Sequence, residues 1–222
     1  MPETLSTPEV AHQIAHRHHR SAELLEIVEA VLLAVVAIAT AWSGYQTARW
    51  DGRQAELYGH SNRERAAENR AATLSGQQRL YDTSTFGFWL QEKVAGHTRA
   101  AALFERRFRP EYKVAFDAWI KTDFFHNPHA PAGPIFMPQY HNAAAERAQK
   151  AEQKAEADFE AGTKARERGD RYLRNTVLLA TVLFLTAVAQ RFKLLPARVT
   201  LLVIAAVLLG IALYYVSTYP TA

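Results

Sequence analysis

The strongest constraint on the fold is a long apolar run at residues 24–45, which leads into the segment AWSGYQTARW. Between residues 30 and 42 the run has no charged side chain, and Thr40 is its one polar residue. A helix needs about 20 mostly apolar residues to cross a bilayer. Trp42, Tyr45 and Trp50 stand where an aromatic belt at the membrane surface is expected. We therefore predict a first transmembrane helix, and not a signal peptide, whose apolar core is shorter.

Two more apolar runs, residues 173–190 and 199–216, lie near the C-terminus and are joined by a short basic link, residues 191–198. Pro196 suits the first turn of the second of these helices. The predicted fold class is an all-α membrane protein with three transmembrane helices. The chain has no cysteine, which excludes disulfides, thiol catalysis and cysteine metal sites.

The long charged region between the first and second spans predicts an antiparallel helical stalk that carries a small helical head. The outgoing stalk helix is placed at residues 46–82 and the returning one at 139–172, where it runs into the second span. The head, with a proline-rich loop, occupies residues 83–138 and begins with a predicted helix break at residues 83–87. An N-terminal amphipathic segment, residues 1–23, and a tail, residues 217–222, complete the chain.

Small residues recur along both stalk helices at steps of three and four, the spacing of a coiled-coil seam. Glycine inside a helix costs about 1 kcal/mol relative to alanine, so glycines on one stripe suggest a close approach of two helices. We predict a seam in which these residues face each other in antiparallel pairs: Gly52 with Gly169, Gly59 with Gly162, and Ala66 with Ala155.

Two acidic residues, Glu26 and Glu29, lie within the first span and share one helix face. Acidic side chains inside a span are candidates for function, here a cation or proton site at the mouth of an oligomeric pore. The alternative is structural, because the topology places Arg191, Lys193 and Arg198 at the same depth. We favour the structural interpretation, in which these basic residues pair with the acids.

The net charge is +4, and the basic residues are interleaved with acids. A nucleic-acid-binding protein concentrates basic charge on one face, so no nucleic-acid partner is expected. Short loops carry the positive-inside signal most reliably. The basic link therefore predicts that it and the N-terminus are cytoplasmic, with the stalk and head outside, although basic residues also crowd the base of the stalk.

Histidines form two groups that could in principle bind a metal ion. His12, His16 and His19 share a helix face, but no acid or cysteine completes a ligand set. We favour a basic amphipathic helix on an anionic membrane surface, which explains the same residues. A second group flanks the proline-rich loop: His126, His129 and His141. No nucleophile elbow, phosphate loop, dinucleotide fingerprint or paired-carboxylate motif is present. We therefore expect neither a catalytic site nor a bound metal or cofactor.

The segment AWSGYQ at residues 41–46, followed by Arg49, Trp50 and QAELY at residues 54–58, resembles a family of bacterial inner-membrane proteins of unassigned activity. Its members have one span, a long helical insert and further spans near the C-terminus. The resemblance implies a multi-pass protein of the bacterial inner membrane. It transfers no functional residue.

These observations favour a structural or interaction protein that presents its stalk and head to a partner and associates with further copies of itself. The expected partners are the lipid bilayer, another copy of the chain and a protein at the head. The alternative is a subunit of an oligomeric ion channel or transporter, with Glu26 and Glu29 near the pathway.

Overall fold

The computed structural model describes the backbone of residues 7–192 and 194–222, and the side chains of residues 23, 25–192 and 194–222. Within these ranges the regular secondary structure is helical, which confirms the all-α class. The elements are α1 (Thr7–Val94), α2 (Thr98–Glu105), α3 (Pro110–Ile120), a 3-10 turn (Pro134–Phe136), α4 (Ala143–Ala189) and α5 (Leu195–Thr218).

Three of the helices are long and apolar enough to cross a membrane: α1 from Leu25 onward, α4 and α5. Their apolar windows coincide with the three runs seen in the sequence. Such a chain is compatible with a multi-pass membrane protein.

The chain divides into two compact units, Met1–Glu56 with Ala161–Ala222, and Leu57–Glu160. Helices α1 and α4 each contribute to both. The core of the first unit is aliphatic and includes Leu32, Val36, Leu179, Val182 and Leu209. The core of the second is aromatic and includes Trp89, Phe108, Tyr112, Phe116 and Trp119. Trp50 and Tyr172 both belong to the first unit and are buried.

Helix α1 continues through residues 83–87, where a break was predicted. The hydroxyls of Thr83 and Thr85 donate to the carbonyls of Arg79 and Tyr81, each at 2.8 Å. Threonine side chains that bond four residues back in this way can be accommodated within a helix. The predicted break is therefore wrong.

The helix ends at Val94, and Gly96, two residues later, has a φ of +80°. The Gly96 N–H donates to the Lys93 carbonyl at 3.2 Å, and the His97 N–H donates to the Glu92 carbonyl at 2.9 Å. This pair of bonds is the Schellman motif, which needs a left-handed residue that glycine supplies without strain. Residues 88–108 of the predicted head thus contain the end of α1 and the short α2.

Helix α4 begins at Ala143, four residues later than the predicted start at residue 139. The Asn142 side-chain oxygen accepts from the backbone N–H groups of Ala144 and Ala145, both at 3.0 Å. Asparagine is among the preferred N-cap residues because it satisfies these otherwise unpaired donors.

The small-residue stripe on α4 is buried, but its counterpart on α1 is not. Ala155 and Ala165 are 1% and 2% exposed, and Gly162 and Gly169 are also buried. By contrast, Gly52 and Ala66 are exposed. A Cβ atom built on Gly52 or Gly59 would meet nothing within 4 Å. The predicted face-to-face seam is therefore wrong on the α1 side.

The face of α1 that contacts α4 carries larger side chains. In the first unit Gly169 packs against Trp50, and in the second the Ser61 hydroxyl donates to the Ala155 carbonyl at 2.8 Å. The partner of Ala155 thus lies five residues from Ala66, more than one helical turn. Burial stabilises in proportion to the apolar area removed from water, so packing Trp50 against small residues buries more area than pairing small with small.

Candidate functional site

A bidentate ion pair joins α1 to the first turn of α5 within the first unit. Arg198 Nε lies 2.7 Å from Glu29 Oε1, and Arg198 Nη2 lies 2.8 Å from Oε2. Glu29 is 3% exposed. Two parallel, charge-assisted hydrogen bonds make this geometry stronger and more directional than a single contact. Both carboxylate oxygens are thereby engaged, which fits a structural role better than ion binding.

The ion pair forms one wall of a cleft of about 390 Å³, lined by Glu26, Glu29, Ala30, Leu33, Gln190 and Arg198. Glu26 is exposed, in contrast to Glu29. Of the three basic residues expected to pair with these acids, Arg198 binds Glu29, Arg191 is exposed, and Lys193 lies outside the described residues. The cleft therefore contains one neutralised carboxylate and one accessible carboxylate.

The segment AWSGYQTARW supplies the contacts at the other end of the first unit's helices. Ser43, Gln46 and Trp50 follow each other at steps of three and four, so they share one helix face. They are 0%, 2% and 7% exposed. The Ser43 hydroxyl accepts from Asn175 Nδ2 at 3.2 Å. These polar side chains thus continue the buried face of the first span beyond its apolar part.

The last four residues of the chain lie against this face and are held through their backbone. The Gln46 side-chain oxygen accepts from the Ala222 N–H at 3.0 Å, and Trp50 Nε1 donates to the Pro220 carbonyl at 3.3 Å. The Tyr172 hydroxyl donates to the Tyr219 carbonyl at 3.3 Å. No pattern in the sequence predicts these contacts.

A second bidentate pair lies in the second unit. Arg109 Nε is 2.9 Å from Asp82 Oδ1, and Arg109 Nη2 is 2.7 Å from Oδ2. The Tyr140 hydroxyl donates to Oδ2 at 3.1 Å, and Asp82 is 0% exposed. The hydrogen bonds to Asp82 raise the pKa of Arg109, and burial raises the pKa of Tyr140.

Tyr112 lies close enough to this network to interact electrostatically with the charge of Asp82. Burial, and then that charge, raise the pKa of its phenol. Among the described residues its hydroxyl has no hydrogen-bond partner. Tyr112 is therefore a fully buried, neutral phenol beside a buried ion pair.

The aromatic core of the second unit packs around Trp89. Its ring meets Phe116 edge-on at 4.8 Å and stacks on Phe86 at 5.9 Å between centroids. The Trp119 indole N–H donates to the Pro131 carbonyl at 2.6 Å, which ties the proline-rich loop to the core. These rings hold the unit together, as expected for a small domain that depends on aromatic burial.

The histidine groups do not assemble into a described metal site. The side chains of His12, His16 and His19 lie outside the described residues. The His126 ring lies 3.0 Å from Asp123 Oδ1 on the exposed surface. Among the described side chains, no three His, Asp or Glu groups are placed to hold a metal ion together.

Sequence reasoning missed the Asp82–Arg109–Tyr140 network, although a signal for Asp82 existed. The buried face of α1 repeats at steps of three and four, beginning with the apolar residues of the first span. Following that repeat beyond the span leads to its later buried members, which are Ser43, Gln46, Trp50, Ser61, Asp82, Thr85 and Trp89. Starting from the span and not from the small residues would have selected the correct face. No such repeat identifies Arg109.

The chain matches no known protein family, and no curated protein or solved structure is detectably similar to it.

Proposed function

We propose that the chain is a structural or interaction protein of the bacterial inner membrane that presents its helical insert to a partner protein. The observation that supports this proposal is a set of accessible aromatic side chains on the second unit. Phe88 is 53% exposed, and its ring stacks on that of Phe104 with centroids 5.4 Å apart. Tyr81, 43% exposed, lies two turns earlier on the same face of α1.

Phe104 is half-buried and packs against the core that contains Trp89, Phe116 and Trp119, whereas Tyr81 and Phe88 are not part of that core. Leu103, on the neighbouring α2, is 58% exposed. The Arg107 guanidinium lies 5.9 Å from the Phe104 ring centroid and gives the apolar surface a basic border. Exposed apolar patches with a polar rim are typical of protein–protein contact sites. We refer to Tyr81, Phe88, Leu103 and Phe104 together as the apolar face of the second unit.

The proposal includes the stalk-and-head arrangement and self-association. Contacts between α1 and α4 support an antiparallel pair within each unit, Ser43 with Asn175 in the first and Ser61 with Ala155 in the second. We place the insert outside the cytoplasm because the short link between the second and third spans is basic. Cysteines introduced at Thr122 and Ser6 test the orientation. A membrane-impermeant reagent should label the first and not the second in intact cells.

Site-specific photocross-linking tests the proposed interaction. A photoreactive residue at Phe88 or Leu103 should yield a discrete adduct in intact cells, larger than the monomer. The same residue at Gln153, an exposed position of α4 in the same unit, serves as the matched control and should not. Equal yields at the three positions, or no adduct at Phe88 and Leu103, would contradict the proposal.

The cleft beside the Glu29–Arg198 pair supports a second candidate, a subunit of an oligomeric channel or transporter. Glu26 is exposed there and leaves one carboxylate accessible. Three spans are too few to enclose a pore, so this function requires a ring of subunits. The oligomeric state in native-like lipid separates the two candidates. A ring that conducts ions, and loses conductance in Glu26→Gln without losing assembly, would favour the channel.

A further inference from the structure

Exposed aromatic side chains mark one end of the first unit's helices. Trp42 and Tyr45 on α1 are 42% and 52% exposed, and Tyr214 and Tyr215 on α5 are 65% and 40% exposed. Tyrosine and tryptophan concentrate at the boundary between acyl chains and headgroups. This aromatic belt therefore indicates where the chain would leave the bilayer.

Arg49 lies four residues beyond Tyr45 on α1, which is about 6 Å along the helix axis. The headgroup layer of a leaflet is about 5–8 Å thick. The Arg49 guanidinium would therefore lie at the level of the lipid phosphates, with Arg53 one turn farther out.

An open pocket of about 460 Å³ extends outward from this level, lined by Arg49, Trp50, Arg53, Glu56, Thr221 and Ala222. Side chains on a helix tilt toward its N-terminus, so Arg53 reaches back toward the headgroups. Arg49 donates to the Tyr45 hydroxyl and to the backbone oxygen of Ala222, each at a long 3.3 Å. Arg53 lies 2.7 Å from Glu56, but both side chains of that pair are more than half exposed, and such pairs contribute little. Like charges four residues apart on a helix repel, so an anion between Arg49 and Arg53 would relieve that repulsion.

The surrounding surface strengthens the positive potential. Residues 46–56 and 164–175 carry seven lysines and arginines against four aspartates and glutamates. The Arg168 guanidinium lies 4.8 Å from the centroid of the Trp50 ring, a cation–π contact that leaves its positive charge in place. Arg171 and Arg174 are exposed. At the opposite end of the helices, by contrast, Arg198 is neutralised by Glu29.

We propose that Arg49 and Arg53 bind the phosphate of an anionic phospholipid at the surface of the bilayer. Trp50 is fixed by its bond to Pro220 and forms a rigid wall of the pocket. Arg168, Arg171 and Arg174 attract the anionic headgroup without lining the pocket. This assignment depends on the membrane insertion proposed above, but not on the partner protein.

The test uses the full-length protein, purified in neutral detergent, stripped of lipid and titrated with phosphatidylglycerol or phosphatidylcholine. Native mass spectrometry counts the lipids that remain bound. Phosphatidylglycerol should bind the wild type at least about tenfold more tightly than phosphatidylcholine. The double variant R49Q/R53Q should bind phosphatidylglycerol about 30-fold more weakly, because each basic side chain near an anionic headgroup contributes roughly a factor of five.

Two further double variants distinguish a site from general charge. R171Q/R174Q should weaken binding only a few-fold, and that loss should disappear at high salt, because a long-range attraction is screened. R63Q/R70Q makes the same charge change elsewhere on α1 and should leave binding unchanged. Glycerol phosphate tests whether the pocket binds the phosphate of a soluble anion. It should not compete with phosphatidylglycerol at concentrations comparable with that of the lipid.

Equal binding of the two lipids would overturn the proposal, as would an R63Q/R70Q loss equal to that of R49Q/R53Q. Effective competition by glycerol phosphate would assign the pocket to a soluble anion. Unfolding of R49Q/R53Q in detergent is checked by circular dichroism, and R53Q alone, which keeps the Arg49 contacts, should still lower affinity several-fold. A failed lipid test with an intact cross-link at Phe88 would leave the proposed function standing.

Discussion

The two units bury the same chemical group in different surroundings. Among the described side chains, Glu29 in the first unit and Asp82 in the second are the buried carboxylates, and each binds an arginine in a bidentate pair. Glu29 lies at the edge of an aliphatic core. Asp82 lies beside an aromatic core and also accepts from Tyr140.

The difference shows what limits which basic residue can pair with a buried carboxylate. In the first unit the proposed membrane insertion fixes the depth of each residue, so few basic residues of the chain can reach Glu29. Three were predicted: Arg191, Lys193 and Arg198. In the second unit no such restriction acts, because any of many arginines and lysines could fold back onto Asp82. The proposed membrane insertion thus makes the partner of a buried charge easier to predict.

The largest effect is expected for Arg109→Ala in the second unit. Removing one partner of a buried pair leaves an uncompensated charge, which costs about 3–5 kcal/mol. The free energy of unfolding, followed by the near-ultraviolet circular dichroism of the tryptophans, measures the loss. Arg106→Ala, an exposed neighbour, is the control and should change stability by no more than about 0.5 kcal/mol. A loss below about 1 kcal/mol in Arg109→Ala would show that water reaches and solvates the Asp82 carboxylate once the arginine is removed.

A smaller effect is expected for Arg198→Ala in the first unit. The cost of an unpaired charge in a span is about 2.5–3.5 kcal/mol near the bilayer centre and less toward the surface, so we expect about 2 kcal/mol. Unfolding in mixed micelles of increasing denaturing detergent measures it, with exposed Arg191→Ala as the control. The double variant E29Q/R198Q should recover more than half of the loss. Failure to recover would mean that the ion pair itself, and not the unpaired charge, determines stability.

The apolar runs made the spans and the short link predictable. The register of α1 against α4 was predicted from the small residues, which do not form the buried face of α1. The apolar runs that form α5 and the apolar part of α4 belong to helices long and apolar enough to cross a membrane, so few structures other than a transmembrane helix suit them. On the water-exposed part of α1 two stripes compete, one of small residues and one that contains Trp50, Ser61 and Asp82. Spacing within the insert does not rank them, but the repeat that starts from the apolar face of the first span continues into the second stripe. The larger stripe is buried because it removes more apolar area from water, a quantity that depends on the opposing helix.

The glycines of the first unit test that explanation directly. A Cβ on Gly169 would lie 3.2 Å from Asp51 Oδ1 and 3.4 Å from Trp50 Cβ, whereas one on Gly52 meets open space. Gly169→Leu should therefore cost about 1–3 kcal/mol through overpacking. Gly52→Leu should stabilise by up to about 1 kcal/mol, because leucine favours the helix. Unfolding in mixed micelles compares the two, and a reversed order would restore the small-residue seam.

The smallest effects separate the two tyrosines beside Asp82. Tyr140→Phe removes a hydrogen bond to a buried carboxylate, which should cost about 1–2 kcal/mol because Arg109 still holds both oxygens. Tyr112→Phe removes a buried hydroxyl that has no partner among the described residues. It should be neutral or slightly stabilising, since no bond is lost and no polar group remains buried. Similar losses in both variants at pH 7 would place a hydrogen bond on Tyr112.

The buried phenol of Tyr112 also predicts how the stability of the second unit responds to alkaline pH. Burial raises the pKa of Tyr112 above its ordinary value of 10.0, so the folded state retains a proton that the unfolded state releases above pH 10. That contribution is fully present below pH 10 and is lost as the pH rises beyond it. At pH 11 the wild type should therefore have lost about 1.4 kcal/mol relative to Tyr112→Phe. Unfolding at pH 8 and pH 11 measures the difference. A constant gap between the two proteins would mean that the Tyr112 phenol ionises as readily in the folded chain as in water.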